Sequence, residues 1–337
     1  MGTILLLLHT QSDGSLPKAA SEAVSAVQAL GAANVVVGLV GGEVQAAANQ
    51  IAACGAFRFV GVSGSEFSQP RYATDAAAAE AIWRIVDASI ILASGTSRWM
   101  RALPGVAQRL GGRVDTHVVG ARAEAGSIVI NRWYYRQRIE VELARAARPW
   151  MVLLDPGAHP PWLGEPGVAS VEELTVAVPE ALQRTSVTGL EALKTDQQTI
   201  RSDAALLLVA GAGWTKKQKD GNLHTEEAGR LILDFVGKAQ CSLGSSKSLV
   251  DLSSEGQAVL PFLTHLHQVG QTGSTPRHPK GLATCCHGEE PHAVGWRFIR
   301  DRRAINLDPA CGWARGKADV LYVADAFEVM REVNKLL

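Results

Sequence analysis

From its start the chain alternates between short apolar runs and longer stretches with helical spacing. Thr3–Leu8 is continuously apolar, as a strand buried on both faces requires. Pro17 opens a helical pattern that runs to Leu30 and stops at Gly31, with proline at the start and glycine just past the end. Asn34–Val40 predicts a second buried strand closed by Gly41-Gly42, and Glu43–Ala53 a second helix ending near Gly55. Phe57–Val62 predicts a strand, Thr74–Ala88 a helix, Ser89–Ala93 a strand and Arg98–Leu110 a helix that ends at Gly111-Gly112. Alternation of this kind builds a parallel sheet with right-handed crossovers.

From Val114 the texture changes. Val114–Val119, Ser127–Asn131 and Arg138–Ala144 predict shorter strands joined by polar turns, followed by Trp150–Leu154; an antiparallel edge fits them. Asp155–Pro166 is rich in proline and glycine, and Thr185–Asp203 is polar without an apolar period, so the second stretch reads as a linker with Arg201 and Asp203 solvated. A second α/β unit opens with the strand Ala204–Val209. Thr225 is the expected cap of a helix reaching Lys238, followed by a strand Gln240–Leu243 that leads into Gly244–Lys247, and a helix Gly256–Leu266. Gly281–Cys286, Ala304–Leu307 and Asp319–Val323 predict strands, and Ala326–Leu336 a closing helix. The expected fold class is α/β in two domains. A nucleotide-binding-like parallel-sheet domain covers residues 1–200, with its linker at about 185–203, and a flavodoxin-like or Rossmann-like domain covers 204–337.

Composition narrows the function classes. The 337 residues are 47% hydrophobic, and Lys+Arg and Asp+Glu balance at 33 each, which argues against a nucleic-acid surface. No apolar run approaches the roughly 18 residues of a membrane span. Met1–His9 lacks a basic flank and a small-residue cleavage site, so it reads as a strand and not a secretion signal. Five scattered cysteines point to free thiols in a reducing compartment, and the expected location is cytoplasmic.

The chemistry gathers after His267. H-Q-V-G-Q-T-G (His267–Gly273) holds two glycines, two amides and a threonine without an apolar period. It reads either as a structural turn or as a backbone-rich loop pressed against a ligand. Loop, strand, loop and a strand ending in Asn306-x-Asp308 suit a nucleotide lying across strand ends. Cys285, Cys286, His287, His292 and Cys311 raise the possibility of a metal, but the C-x-x-C spacing of a metal knuckle is absent and none is expected. His265 and His267 read as helix-end histidines rather than ligands, Asp251 either as a structural closure of the loop after Lys247 or as a functional group, and Trp133–Tyr135 as interface or core aromatics rather than a dedicated partner surface. No strand leads into G-x-G-x-x-G with an acidic residue about 20 positions on, which disfavours a nicotinamide-dependent dehydrogenase.

From Gly211 onward an ordered series of motifs resembles the alpha subunit of electron-transfer flavoproteins. It comprises G-A-G-W (Gly211–Trp214), G-S-S-K-S-L-V-D (Gly244–Asp251), Q-V-G-Q-T-G (Gln268–Gly273), H-G-E-E-P-H (His287–His292), A-I-N-L-D-P (Ala304–Pro309) and D-V-L-Y-V-A-D-A (Asp319–Ala326). The resemblance implies an FAD-bearing second domain in a heterodimer whose beta subunit carries AMP. The FAD would take electrons from a soluble dehydrogenase, of acyl-CoA or methylated-amine type, and pass them singly to a quinone-linked oxidoreductase. It implies no catalytic side chain, and an electron carrier rather than a substrate-converting enzyme.

By position, the resemblance sets Thr272 at flavin N5, His292 at the pyrimidine edge, Lys247 near the isoalloxazine, Ser246 on the cofactor, and Asn306 and Asp325 near the adenosine half. The remaining cofactor positions it implies are Gly213, Gln268, Val269, Gly270, Gln271, Gly273, His287, Gly288, Glu289, Glu290, Pro291 and Ala326. A helix start within Gly288–Trp296 would face the diphosphate. One-electron transfer requires a stabilised semiquinone, whose anionic form puts charge around N1 and O2; a protonated His292 and Lys247 would offset it. The departures lie at Gly213, where or next to which the family has arginine, at Lys247 for arginine, at the acidic pair Glu289 and Glu290, and at Ala326 for leucine. They leave open an alternative: a non-redox, structural alpha-like subunit whose flavin site has decayed.

Overall fold

The computed structural model describes residues 2–134, 139–189, 201, 204–251, 258–269, 278–284 and 299–337. The chain divides into two compact units, residues 1–190 and 191–337.

In the first unit, strands β1 (Ile4–His9), β2 (Val35–Gly41), β3 (Arg58–Ser63) and β4 (Ile90–Ser94) alternate with helices α1 (Lys18–Ala29), α2 (Gln45–Gln50), α3 (Ser65–Ser68), α4 (Tyr72–Val86) and α5 (Ser97–Arg109). Then come β5 (Arg113–Glu124), β6 (Ser127–Tyr134), β7 (Ile139–Leu143), β8 (Trp150–Leu154) and the short β9 (Val171–Glu173). The nine strands order as β7-β6-β5-β8-β4-β1-β2-β3-β9. From β5 through β9 the pairs are parallel, and β5-β6-β7 form the expected antiparallel edge.

Continuous apolarity in β1, β4 and β8 follows from burial on both sheet faces. Ile4, Leu6, Leu8, Ile90 and Leu92 pack on α1 and α2, while Leu5, Leu7, Ile91 and Ala93 pack on α4 and α5. Asp115 is a charged exception, fully buried and receiving bonds from Arg132 Nη1 at 2.5 Å, from Arg145, and from Trp150 Nε1 at 2.8 Å. It ties the antiparallel edge to the central strands.

The second unit holds β10 (Leu206–Ala210), α6 (Thr225–Ala239), β11 (Ser242–Ser245), α7 (Lys247–Asp251), β12 (Lys280–Thr284), β13 (Asp301–Asn306), α8 (Gly312–Lys317), β14 (Val320–Val323) and α9 (Ala326–Leu336). Its five strands are all parallel in the order β11-β10-β12-β13-β14, a 2-1-3-4-5 sheet of the flavodoxin-like, doubly wound type. Leu208, Ala210 and Leu243 face α6 and α9; Leu207, Val209, Ala283 and Ala304 face α8.

The structure corrects the sequence expectations at several places. The expected helix over 256–266 is not helical across its described part, where only a 3₁₀ turn, His265–His267, forms. Pro261 lacks the N–H a helix interior needs, and Thr264 starts the shorter turn by accepting from Leu266 N. The strand expected at Gln240–Leu243 lies two residues later, because α6 runs on to Ala239 and Gln240 takes the left-handed conformation (φ 48°) that ends it. Thr225 is the first helical residue and His224 the N-cap, without a side-chain capping bond. Arg201 is not simply solvated: its N–H donates to Ser242 Oγ at 2.8 Å and its guanidinium reaches the Gln240 carbonyl. β9 and α8 had too few periodic residues to stand out.

Candidate functional site

In an open parallel sheet, ligands sit outside the carboxyl ends of the strands, at the point where strand order reverses. For the second unit that point lies between β10 and β12, and the described cofactor positions that the resemblance implies all follow or adjoin carboxyl ends in this sheet. Gly213 lies in the 3₁₀ turn Ala212–Thr215 after β10, Ser246 and Lys247 follow β11, Asn306 ends β13, and Asp325 follows β14. Gln268 and Val269 run alongside the end of β11: Ser245 and Gln268 form a parallel bridge, and Val269 N donates to Ser245 O at 3.0 Å.

Backbone bonds lash these ends together. Ser246 N donates to Ala210 O and Gly211 N to Thr284 O, each at 2.8 Å. Trp214, fully buried, donates from Nε1 to Thr284 Oγ1 at 2.9 Å and packs on Phe327 with ring centroids 4.6 Å apart. The β10 turn is thereby braced from β12 and α9. Gly244 is required by close approach, since a Cβ there would fall 2.5 Å from Val269 Cγ2.

Side-chain roles divide into two groups. Ser246 Oγ accepts from Leu249 N at 3.3 Å, which starts α7. Lys247 is half exposed, with Nζ 3.5 Å from Asp251 Oδ2, so the expected closing role of Asp251 takes the form of an ion pair one helical turn on. His265 stands 3.8 Å from the same carboxylate. Asn306 is buried and its Oδ1 accepts from Asp308 N, holding the turn after β13. Asp325 caps α9, accepting from Phe327 N at 2.9 Å, with Lys219 Nζ 3.7 Å away. A polar crevice of about 170 Å³ opens beside it, lined in part by Gln218, Lys219, His224 and Arg331. The side chains of Val269 and Ala326 are core, and Gly213 contributes its carbonyl to Lys216 N and Gln218 Nε2.

Gly270, Gln271, Thr272, Gly273, His287, Gly288, Glu289, Glu290, Pro291 and His292 lie outside the described residues, as do Cys285, Cys286 and the helix start expected in 288–296. Among the described residues no group of three or more His, Cys, Asp or Glu side chains is arranged to hold a metal.

The residues present fit a bound group at this end of the sheet. Among the described residues, Ser245 Oγ and Gln268 Nε2 are buried there without a hydrogen-bond partner, and native interiors leave few such atoms unsatisfied. The sequence did not point to Ser245, which looks like one more small residue in a turn. Trp214 and Thr284 were missed as well, since a brace between two strand ends leaves no mark in spacing.

Compared with known protein families, residues 5–181, more than half of the chain, match the family described as electron transfer flavoprotein domain. The match lies within the first unit, whereas the geometry above belongs to the second.

Proposed function

Because this chain belongs to the electron transfer flavoprotein family, we propose that it is the alpha-type, FAD-bearing subunit of a heterodimeric electron carrier. The observation that carries the reading is the convergence of Gly213, Ser246, Lys247, Gln268, Asn306 and Asp325 on the carboxyl end of one 2-1-3-4-5 parallel sheet. Buried polar atoms at that end that have no partner among the described residues support it.

When bound, FAD supplies the redox chemistry: it accepts electrons from a soluble dehydrogenase and releases them singly towards a quinone-linked oxidoreductase. The chain's own side chains bind and orient. Lys247 brings a cation to the rim of the site, Gln268 a carboxamide, and Ser246 the first turn of α7. Asn306 and Asp325 shape the turns at the adenosine side, and Trp214 with Phe327 seals the interior behind them. Thr272 and His292, outside the described residues, are the remaining flavin-ring positions that the motif resemblance implies. The beta-type partner holds AMP, and donors of acyl-CoA or methylated-amine dehydrogenase type are the partners proposed. Among the described residues no helix is long and apolar enough to cross a membrane, so the reading needs a separate quinone-linked acceptor.

The second reading is a structural alpha-like subunit without flavin. Gly213, standing where or beside where a cationic contact is expected, favours it, as does the pairing of Lys247 with Asp251. Gentle purification through a tag on this chain, with its bound subunit, separates the two. A visible flavin spectrum, one FAD per complex, and bleaching by a cognate dehydrogenase are expected. A flavin ratio near zero refutes the carrier reading.

A further inference from the structure

Beside the carboxyl end of β11 lies a polar side chain that the motif resemblance did not assign to the cofactor. His267 is 5% exposed, and its Nε2 is buried without a hydrogen-bond partner among the described residues. Its proton position is fixed by its surroundings. The Thr264 backbone N–H donates to His267 Nδ1 at 3.1 Å, and an amide N–H can only donate, so Nδ1 presents a lone pair. A neutral imidazole carries one proton, which therefore resides on Nε2. Among the described residues nothing receives this neutral, buried N–H donor, an arrangement that costs free energy until an acceptor arrives.

Its location says which acceptor. Residue 267 immediately precedes Gln268, the bridge partner of Ser245, and the His265–His267 turn packs on α7, whose first residue is Lys247. Ser245 Oγ and Gln268 Nε2, on residues no more than 2% exposed, are also without partners among the described residues. Each of these three residues leaves a buried polar atom without a partner among the described residues, and His267 is fixed as an N–H donor, which calls for an oxygen acceptor on an uncharged or anionic group. A cation or an apolar ligand would leave them unsatisfied.

We propose that His267 is a ligand-binding residue of this site, its Nε2–H donating to a carbonyl or phosphoryl oxygen of the bound cofactor. The inference rests on the FAD reading above. It adds a neutral donor to the charge of Lys247, and Ser245 and Gln268 extend the same donor set.

The test uses the full chain with its bound subunit, freed of flavin, and reads FAD binding by quenching of flavin fluorescence. His267→Met, which removes the donor at similar volume, is expected to weaken FAD roughly tenfold. His267→Gln, which offers an amide N–H near the same point, should lose less than about threefold. In the wild-type protein labelled with ¹⁵N-histidine, His267 should show the Nε2–H tautomer, and that proton should shift and exchange more slowly on saturation with FAD. A shift with riboflavin as well identifies a ring carbonyl as the acceptor; a shift with FAD and ADP alone identifies a phosphoryl oxygen.

If His267→Met fails to fold, as judged by circular dichroism, the wild-type resonance decides by itself. FAD binding that leaves this resonance unmoved, or equal affinities for wild type and a folded His267→Met, overturns the inference and leaves the FAD reading standing. A wild-type complex that binds no FAD overturns both.

Discussion

Gly244→Ala is the sharpest probe of how the strand ends are assembled. The added Cβ would lie 2.5 Å from Val269 Cγ2 and 3.2 Å from Leu207 Cδ1, where carbon atoms pack at about 3.5–4.0 Å. The overlap with Val269 is therefore about 1 Å. Val269 cannot rotate aside, because a β-branched side chain has one favoured χ1 and this one is fully buried. Leu207 is equally buried, on a central strand. The relief has to come from separating β11 and the 268–269 segment, which lengthens the 3.0 Å bond from Val269 N to Ser245 O and shifts Gln268. Overpacking of this kind costs about 1–3 kcal/mol. The second unit should lose that much in urea unfolding followed by circular dichroism, and flavin retention should fall with it.

Val269→Ala alone opens a cavity and costs about 2 kcal/mol. Combined with Gly244→Ala it gives the new methyl a place, so the double variant should be more stable than the sum of the single effects by at least about 1 kcal/mol. Additivity within about 0.5 kcal/mol, or an unperturbed Gly244→Ala, would refute the close-approach argument.

Three further outcomes follow from the geometry. Burial lowers the pKa of His9 from 6.5 to about 4, helped by nearby Arg98 and opposed by the Thr10 carbonyl, so the folded ring stays neutral where the unfolded one takes a proton. Stability is then lost as pH falls from about 6.5 to about 4, by at most about 3 kcal/mol at 1.36 kcal/mol per pH unit. Calorimetry of His9→Gln should lack that part of the slope, and an unchanged slope rejects it. Burial also pushes the Asp115 carboxyl up, but bonds from Arg145, Trp150 and Arg132 outweigh this and hold it below the usual carboxylate range. Asp115→Asn should cost about 2–4 kcal/mol at pH 7, below the full buried-pair figure because Arg145 is a third exposed, and a loss under 0.5 kcal/mol would show the cluster is not structural. Asp325→Ala removes the cap of α9 and should cost about 1 kcal/mol, read as faster hydrogen exchange over 326–336; unchanged exchange there would reject the cap.

The sequence by itself determined the elements whose burial is uniform. β1, β4, β8 and β10 are apolar along their length because both sheet faces are covered, and that condition writes itself into consecutive residues. Helix α9 matched its expected span because its period and its Asp325 cap are both local. The ordered motifs from Gly211 to Ala326 named residues that, where they are described, the 2-1-3-4-5 sheet gathers at its strand ends.

Tertiary structure alone decided whatever depends on partners far along the chain. The tight fit of Gly244 against Val269, the Trp214–Thr284 brace across 70 positions and the Asp115 cluster drawing on Arg132, Arg145 and Trp150 have no periodic signature. The shift of β11 by two residues was set by where α6 could stop and by pairing with β10. His267 makes the difference plain. In the chain it is one polar residue before a glycine loop; in the fold, a single backbone amide from Thr264 fixes its proton and turns it into a buried donor.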